Sequence, residues 1–162
     1  MKFYHVREDY IAFLRQYDAK VADNKNEKRP YIGIVFEIDA IQYYAPLTSP
    51  KPKHSAMKND KDFRKIRQGR YGAINFNNMI PVPESALLFF DFSNEPDARY
   101  RRLLQNQYNA IREDWQAIVR TADALHALLF SDDSALTPHE RNIKARCCDL
   151  ALLEQVMQKY GT

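Results

Sequence analysis

The chain has 162 residues, of which 45% are hydrophobic, 12% are aromatic and only four are glycine, a composition that indicates one folded domain and excludes a disordered protein. Its net charge of +3 is unevenly distributed, because residues 51–70 carry eight lysines and arginines against two aspartates, a local charge of +6 that leaves −3 elsewhere. Most charge runs are solvated surface, but a basic segment on an otherwise acidic protein also indicates a polyanionic partner such as nucleic acid.

The first half of the chain, residues 1–92, is predicted to be rich in β-strands. Residues 1–6 predict a short strand, and a helix beginning at Glu8 or Asp9 follows, with apolar residues at helical spacing as far as Val21. Residues 31–38 and 41–45 predict two strands joined in a hairpin at positions 39–40, the first of them buried on both faces.

Further strands are expected at 71–80 and 86–92, with a short helix near 60–67. These five or six strands with short connections predict an antiparallel sheet that curls into a small barrel.

The second half, residues 93–162, is predicted to be helical. Apolar residues step by four and three from Leu104 to Leu129, which predicts one long helix facing the core. The last helix begins at Thr137-Pro138-His139-Glu140, a combination of N-cap, N1 proline and capping-box glutamate, and ends near Gly161. The fold class is therefore α+β in a single domain, 1–162.

Cysteine and histidine usage predicts neither disulfides nor a metal site. Cys147 and Cys148 fall within the last predicted helix, where their side chains diverge and are not expected to pair. The four histidines are scattered, and no C-x-x-C or H-x-x-x-H pattern occurs. The N-terminus lacks the apolar region of a signal peptide, and the longest apolar run, 86–90, is too short to span a bilayer. We therefore expect a soluble cytoplasmic protein without cofactors.

Candidate catalytic residues are concentrated in the segment Ala45-Pro46-Leu47-Thr48-Ser49-Pro50-Lys51-Pro52-Lys53-His54. Its prolines prevent both a continued strand and a helix, so the segment is predicted to be a stiff loop that presents two hydroxyls, two ammoniums and an imidazole. Arg29 can be brought alongside Thr48 by the hairpin.

Cleavage of RNA without a metal requires deprotonation of a 2′-hydroxyl, neutralisation of phosphoryl charge and help for the leaving 5′-oxygen, and these residue types supply all three. The loop therefore favours a phosphate site.

Each of these residues also has a structural interpretation. Thr48 and Ser49 can end a strand by bonding to their own backbone, Lys51 and Lys53 can be ordinary surface charges, and His54 can be an exposed loop histidine. A Ser-His-Asp hydrolase is not favoured, because no G-x-S-x-G motif surrounds Ser49. A metal nuclease is not favoured either, because the sequence lacks a convergent set of carboxylates.

The N-terminal half resembles the ToxN/AbiQ family, the endoribonuclease toxins of type III toxin–antitoxin and abortive-infection systems, and within it the CptN-like branch. The matching stretches are Met1-Lys2-Phe3-Tyr4, Lys28-Arg29-Pro30-Tyr31-Ile32-Gly33-Ile34-Val35, Tyr44 to His54, Gly72-Ala73-Ile74-Asn75 and Asn78-Met79-Ile80-Pro81-Val82. They lie in register over about residues 1–83, and the Leu-Thr-Ser-Pro-Lys run is the most specific.

The resemblance implies a curled antiparallel sheet like that of the Kid/MazF toxins, with added helices. It also implies a bacterial toxin whose substrates are messenger RNAs and whose metal-independent, sequence-specific cleavage leaves a 2′,3′-cyclic phosphate.

The inhibitor would be a small pseudoknotted RNA that the toxin cuts from a repeat array and holds in a closed, alternating protein–RNA assembly, with no direct protein–protein contact required.

Site residues follow from the matched positions. Thr48, Ser49 and Lys51 match the active-site hydroxyls and lysine of the family, and Arg29 stands where several members have a basic residue. Lys51 is expected to act as base or phosphate clamp, Thr48 and Ser49 to position phosphate and Arg29 to stabilise charge, with Lys53 and His54 assisting. Some relatives carry an upstream tyrosine that residues 24–28 lack. The antitoxin RNA would be bound by Lys58, Lys61, Arg64, Lys65, Arg67, Arg70, Tyr71, Asn75, Phe76 and Asn78.

Two other functions remain open on the residues alone. A non-catalytic RNA- or DNA-binding barrel, such as a regulator, would use the same basic loop, and a protein-interaction domain would use the long helix. Loss of RNA cleavage on mutation of Ser49 distinguishes the toxin from the first, and RNA affinity of any kind distinguishes it from the second.

Overall fold

The secondary structure divides into a β-rich first half and a helical second half. The computed structural model describes residues 1–32 and 37–162 in full, and residues 33–36 only as strand backbone. The elements are β1 (Phe3–Val6), α1 (Glu8–Arg15), β2 (Tyr31–Ile38), β3 (Ile41–Thr48), β4 (Arg64–Lys65), β5 (Ala73–Ile74), β6 (Ile80–Pro81), β7 (Leu87–Phe89), α2 (Ala98–Glu113), α3 (Trp115–Leu129), α4 (Pro138–Arg146) and α5 (Leu150–Met157).

All strand pairs are antiparallel and belong to one sheet with the order β4-β5-β3-β2-β1-β7. The long strand β3 carries β2 along one edge, and its other edge is shared between β6, which pairs near Tyr43, and β5, which pairs near Thr48. The predicted curled antiparallel sheet is confirmed. It does not close into a barrel, because in the described part of the chain β4 and β7 each pair on one side only.

The predicted hairpin between β2 and β3 is confirmed, and its turn fixes the register of the sheet. Asp39 and Ala40 both have positive φ, +49° and +64°, the backbone conformation of a two-residue turn whose twist matches that of the strands. The resulting pairs include Ile32 with Ala45 and Tyr31 with Pro46. The expected burial of the first strand on both faces concerns side chains 33–36, which lie outside the described residues.

Three local predictions in the first half are wrong. The helix near 60–67 is replaced by an isolated bridge between Asp60 and Phe63 and by strand β4. The strand at 71–80 is split into β5 and β6 by a short 3₁₀ helix at Phe76–Asn78, because the backbone amide of Asn77 donates to Asp62 O (2.9 Å) instead of to a neighbouring strand. Helix α1 ends at Arg15 and therefore does not reach Val21.

The predicted long helix from Leu104 to Leu129 is two helices that meet at Asp114. This residue has φ −93° and ψ 11°, only slightly outside helical values. Its amide donates to the carbonyl four residues earlier and its carbonyl accepts the amide four residues later, so the helical hydrogen bonds continue through it. Because the phase of the apolar stripe is unchanged across Asp114, residue spacing alone does not reveal the break.

The last helix begins as predicted, but it too is interrupted. Thr137 Oγ1 accepts the Glu140 amide (3.2 Å) and Glu140 Oε2 accepts the Thr137 amide (2.9 Å), so the capping box is confirmed. Helix α4 then ends at Arg146, because Cys147 turns to an extended conformation with ψ 158°. The prediction that Cys147 and Cys148 lie within a helix is wrong. Both are buried free thiols in the connection to α5.

The two halves share one hydrophobic core. Helix α3 packs on β2, α5 packs on β6 and α1 packs on α5. The core therefore joins residues of the sheet such as Tyr43 and Ile80 with residues of the helices such as Ile118 and Leu153. Within the described residues, no helix combines the length and the hydropathy needed to cross a bilayer.

Candidate active site

Strand β3 delivers the predicted hydroxyls to the edge of the sheet. It ends at Thr48, whose side chain is buried, whereas the next residue, Ser49, is exposed. The Leu47 amide donates to Pro30 O (2.9 Å), so the pairing of the two chain segments extends as far as Pro30, and Arg29 is the residue before it. Arg29 itself lies in a bend, and its amide donates to Asn24 O (3.2 Å), so its expected proximity to Thr48 stays a prediction.

The proline-rich loop after Thr48 has a fixed conformation. Pro52–Ser55 form a 3₁₀ turn that two reciprocal bonds close: the His54 amide donates to Lys51 O (2.9 Å), and the Lys51 amide donates to His54 Nδ1 (3.2 Å). The ammonium-bearing side chains of Lys51 and Lys53 are exposed. The loop is therefore stiff and presents its cations outward, as its prolines predict.

A second turn, residues 66–72, lies against this loop and depends on two glycines. Gly72 has φ +90°. A Cβ at this position would lie 3.0 Å from the Ser49 carbonyl carbon and would overlap Thr48 O, which is closer still. Gly69 has φ +92° and approaches the His54 side chain. With only four glycines in the chain, the position of Gly72 directly before β5 was an available signal of this close approach.

These elements enclose a cleft of about 500 Å³. Its lining residues are Thr48, Lys51, Lys53, His54, Met57, Lys58, Asp60, Asp62, Phe63, Asn75, Asn77, Asn78 and Arg146. Seven of the sequence-predicted site residues are among them: Thr48, Lys51, Lys53, His54, Lys58, Asn75 and Asn78. Arg29 and Ser49 are not among the lining residues. Arg29 is half-buried, and its Nε donates to Asp23 O (2.8 Å).

The carboxylates of the cleft are matched by groups from the helical half, whereas its lysines are not. Asp60 bonds to His139 Nε2 (2.7 Å), and Asp62 bonds to Arg146 through two contacts of 2.6 and 2.9 Å. No ion pair to the lysines of the lining (Lys51, Lys53 and Lys58) occurs among the described residues. The cleft therefore carries uncompensated positive charge, which suits a phosphate backbone.

The ring of His54 is buried and held in one tautomer. Burial lowers its pKa, and the nearby cations Lys51, Lys53 and Lys65 lower it further, so the ring is neutral near pH 7. Because Nδ1 accepts the Lys51 amide, the single ring proton is on Nε2. The exposed loop histidine considered from sequence is thus not what the structure shows. His54 organises the loop and can offer one neutral hydrogen bond.

Half of the six predicted basic RNA contacts are paired with carboxylates of the helical half. Lys61 bonds to Glu140 (2.9 Å), Arg64 bonds to Asp114 (3.3 Å) and Arg67 bonds to Glu113. Surface pairs of this kind contribute only about 0–1 kcal/mol each, so these cations can still exchange partners with a phosphate. Lys58, Lys65 and Arg70 form no ion pair within the described residues.

The predicted aromatic contacts need correction. Phe76 is only 1% exposed and belongs to the core, so it is not available for stacking on a base. Tyr71 is half-buried beneath Arg70, whose guanidinium lies 5.6 Å from the centre of its ring. Asn78 lines the cleft but uses its amide to donate to Lys20 O (2.9 Å).

Six lining residues were not assigned to the site from sequence: Met57, Asp60, Asp62, Phe63, Asn77 and Arg146. Most of them belong to the basic block, residues 51–70, or flank β5. Their proximity in sequence to the predicted loop was a usable signal that they belong to the site. Arg146 lies in the helical half, and only the three-dimensional fold brings it here. Within the described residues, no group of three or more His, Cys, Asp or Glu side chains is placed to bind one metal ion.

The chain is similar to known proteins over nearly its whole length. The model of the toxin ToxN family of type III toxin–antitoxin systems matches residues 2–158. The chain is 30% identical to endoribonuclease ToxN of Pectobacterium atrosepticum, over 99% of this chain and 94% of that protein. It is 29% identical to endoribonuclease ToxN of Bacillus thuringiensis subsp. kurstaki, over 98% and 84% of the two chains.

A solved structure also superimposes over nearly the whole chain. It concerns selective toxin inhibition by a non-coding RNA pseudoknot in a bacterial type III toxin–antitoxin system. The TM-score is 0.85 at 30% identity, and the match covers 98% of this chain and 96% of that one. The similarity therefore includes the helical half as well as the N-terminal stretches that carried the sequence resemblance.

Proposed function

The chain belongs to the ToxN toxin family of type III toxin–antitoxin systems and is an endoribonuclease, and on this basis we propose that it cleaves RNA in the cleft at the end of β3 without a metal ion. The resemblance found in the N-terminal half is thereby confirmed for the family. The observation that carries the proposed mechanism is the convergence of Thr48 and Lys51 on a cleft whose lysines have no matching carboxylates among the described residues.

In the proposed reaction, the 2′-oxygen of the nucleotide before the scissile bond loses its proton and attacks the adjacent phosphorus. The bond from phosphorus to the 5′-oxygen breaks, and that oxygen takes up a proton. The products are a 2′,3′-cyclic phosphate and a 5′-hydroxyl. Charge that develops on the phosphoryl oxygens is stabilised by fixed donors and cations, which contribute more in a cleft than in bulk water.

The proposed roles are those that the family resemblance implies for the matched positions. Lys51 is the base or the phosphate clamp, and Lys53 adds positive charge at the cleft mouth. Thr48 and Ser49 position the phosphate from the end of β3. His54, neutral and protonated on Nε2, donates one hydrogen bond and does not act as an imidazolium acid at neutral pH.

Arg29 stabilises charge only if its guanidinium leaves Asp23 O, which it contacts in the free protein. Its position directly before Pro30, whose carbonyl accepts the Leu47 amide of β3, supports that role. A hydrogen bond of a charged group contributes about 1.5–3 kcal/mol, and a phosphate that takes the place of Asp23 O restores a charge-assisted bond to the same guanidinium.

The inhibitor is proposed to be a small pseudoknotted RNA, which the toxin cuts from a repeat array in the bacterial cytoplasm and then holds in a closed, alternating assembly. The similar solved structure concerned with pseudoknot inhibition supports this proposal. So does the basic block at residues 51–70, which provides a strip of phosphate contacts beside the cleft. Messenger RNAs are the proposed cellular targets.

The test is incubation of the purified protein with a long transcript of mixed sequence in the presence of EDTA. Wild type should give fragments that end in a cyclic phosphate, and Ser49→Ala and Lys51→Ala should not. Ser85→Ala and Lys159→Ala are matched controls, because both residues are exposed and lie outside the cleft lining.

Intact RNA in every tube, with binding retained, would instead indicate a non-catalytic RNA-binding protein. Cleavage by Ser49→Ala and Lys51→Ala at the wild-type rate would show that the site lies elsewhere.

A further inference from the structure

One wall of the cleft comes from the helical half, to which none of the sequence-predicted site residues belongs. Arg146 is the last residue of α4, and it lines the same cleft as Thr48 and Lys51. The extended backbone at Cys147 ends the helix at this point, and the Cys148 amide donates to Asn77 O (3.0 Å). The end of α4 is therefore fastened beside the β5–β6 connection, with Arg146 directed to the cleft.

Arg146 is held by a buried carboxylate. Its Nε and Nη2 donate to the two oxygens of Asp62 at 2.6 and 2.9 Å, and the side chain of Asp62 is only 4% exposed. A carboxylate so deeply buried requires a fixed cationic partner. The Asp62 bond also raises the pKa of Arg146, so the guanidinium remains charged at all relevant pH values.

The other side of the guanidinium is open. The side chain of Arg146 is 50% exposed, although its partner is buried, so the pair points from the protein interior towards the cleft. An arginine has five N–H donors, and Asp62 uses two of them. No further hydrogen bond from this guanidinium is present among the described residues, which leaves the two N–H groups of Nη1 and one of Nη2 for a ligand.

The location of this pair separates it from three other ion pairs between the two halves, and in the pair of Asp60 with His139 only the carboxylate lines the cleft. Lys61–Glu140, Arg64–Asp114 and Arg67–Glu113 join the halves, but their members are absent from the cleft lining. The carboxylate of each of these three pairs is more exposed than Asp62, as expected of surface contacts. Arg146 and Asp62 both line the cleft.

We propose that Arg146 is a further substrate-binding residue, which binds a phosphate of the RNA strand beside the scissile one, and that Asp62 is its positioning residue. The proposal rests on the proposed ribonuclease function of the cleft. A guanidinium that is already fixed loses little freedom on binding, and its planar N–H groups match two oxygens of one phosphate. The flexible lysines at the cleft mouth cannot provide this geometry.

The experiment compares Arg146→Gln, Arg146→Lys and Asp62→Asn with wild type and with Arg99→Gln, an exposed charge-matched control outside the cleft. Binding is measured with a 2′-O-methylated RNA, which lacks the attacking hydroxyl, at several salt concentrations. Cleavage of the unmodified transcript is measured with enzyme in excess. Thermal unfolding is followed for every variant.

Arg146→Gln should weaken RNA binding by about 10- to 100-fold, as expected for one charged hydrogen-bonded contact. It should also reduce the slope of log K against log salt by about 0.7. Arg146→Lys should keep the salt slope but cleave more slowly, because it retains the charge without the planar fork. Asp62→Asn should keep the slope as well and lose cleavage rate, since it leaves the arginine present but loosely held.

Arg146→Gln and Arg146→Lys that bind and cleave like wild type would overturn the proposal and leave Arg146 as a structural ion pair. A loss of thermal stability in these variants without any change in salt slope or cleavage rate would overturn it too. Failure of the ribonuclease function itself is recognised separately, because wild type would then leave the transcript intact while the salt slope of binding still reports on Arg146.

Discussion

Replacing Gly72 by alanine should damage both the stability of the protein and the shape of the cleft. An alanine at φ +90° is strained by about 1–2 kcal/mol relative to glycine. Its Cβ would also lie inside contact distance of Thr48 O, which is backbone and cannot rotate away. The strand β5 must then move from β3, which endangers the bond from the Ile66 amide to Gly72 O (2.9 Å) and the pairing of Thr48 with Ala73.

Loss of two such bonds costs about 1–3 kcal/mol. The total expected loss in the free energy of unfolding is therefore about 2–5 kcal/mol, a large effect for a single methyl group.

The chain supplies a control for this substitution. Gly161 also has positive φ, +79°, but a Cβ there meets no atom within 4 Å. Gly161→Ala should therefore show the conformational strain alone, about 1–2 kcal/mol or less near the frayed C-terminus. Urea unfolding followed by circular dichroism gives both values, and RNA cleavage gives the effect on the site. Equal losses of stability in the two variants, with full cleavage by Gly72→Ala, would refute the close approach described between the two loops.

Three further outcomes are expected. Burial lowers the pKa of His54 below its value in the unfolded chain, so the unfolded state binds the extra proton. The free energy of unfolding should therefore fall as the pH decreases through about 6.5, which urea midpoints at about pH 7.5 and about pH 5.5 measure. A His54→Asn variant with the same decrease would contradict this. Burial raises the pKa of the Cys147 and Cys148 thiols to about 12. A thiol reagent at about pH 8 should therefore react roughly a thousandfold more slowly with native than with denatured protein. Equal rates would show that the thiols are accessible. Joint replacement of Lys61, Arg64 and Arg67 by alanine should weaken RNA binding and flatten its salt dependence, whereas a wild-type affinity that is identical in 50 and 200 mM salt would exclude phosphate contacts.

The parts of the fold that were predictable are those with a local cause. The hairpin follows from two strand-like runs separated by two residues, and the capping box from four consecutive residues at Thr137. The stiff loop after Thr48 follows from its prolines. In each case the residues that determine the structure are neighbours in sequence.

The incorrect predictions have a different origin. Spacing could not reveal the break at Asp114, because the helical bond pattern and the phase of the apolar stripe continue through it. Phe76 was expected to contact RNA, but it lies in a short 3₁₀ turn and its ring is buried in the core. The pair of Asp62 with Arg146 joins residues 84 positions apart, and no local pattern indicates it.

The ion pairs between the basic block and the helices also affect how fast RNA reaches the protein. Lys61, Arg64 and Arg67 each face a carboxylate, so their fields largely cancel beyond about 8 Å, the screening length in physiological salt. Within the basic block, the long-range attraction that remains originates at the cations without an ion pair among the described residues, and three of these five, Lys51, Lys53 and Lys58, line the cleft. The association rate of RNA should therefore depend more on Lys51 and Lys53 than on the paired cations.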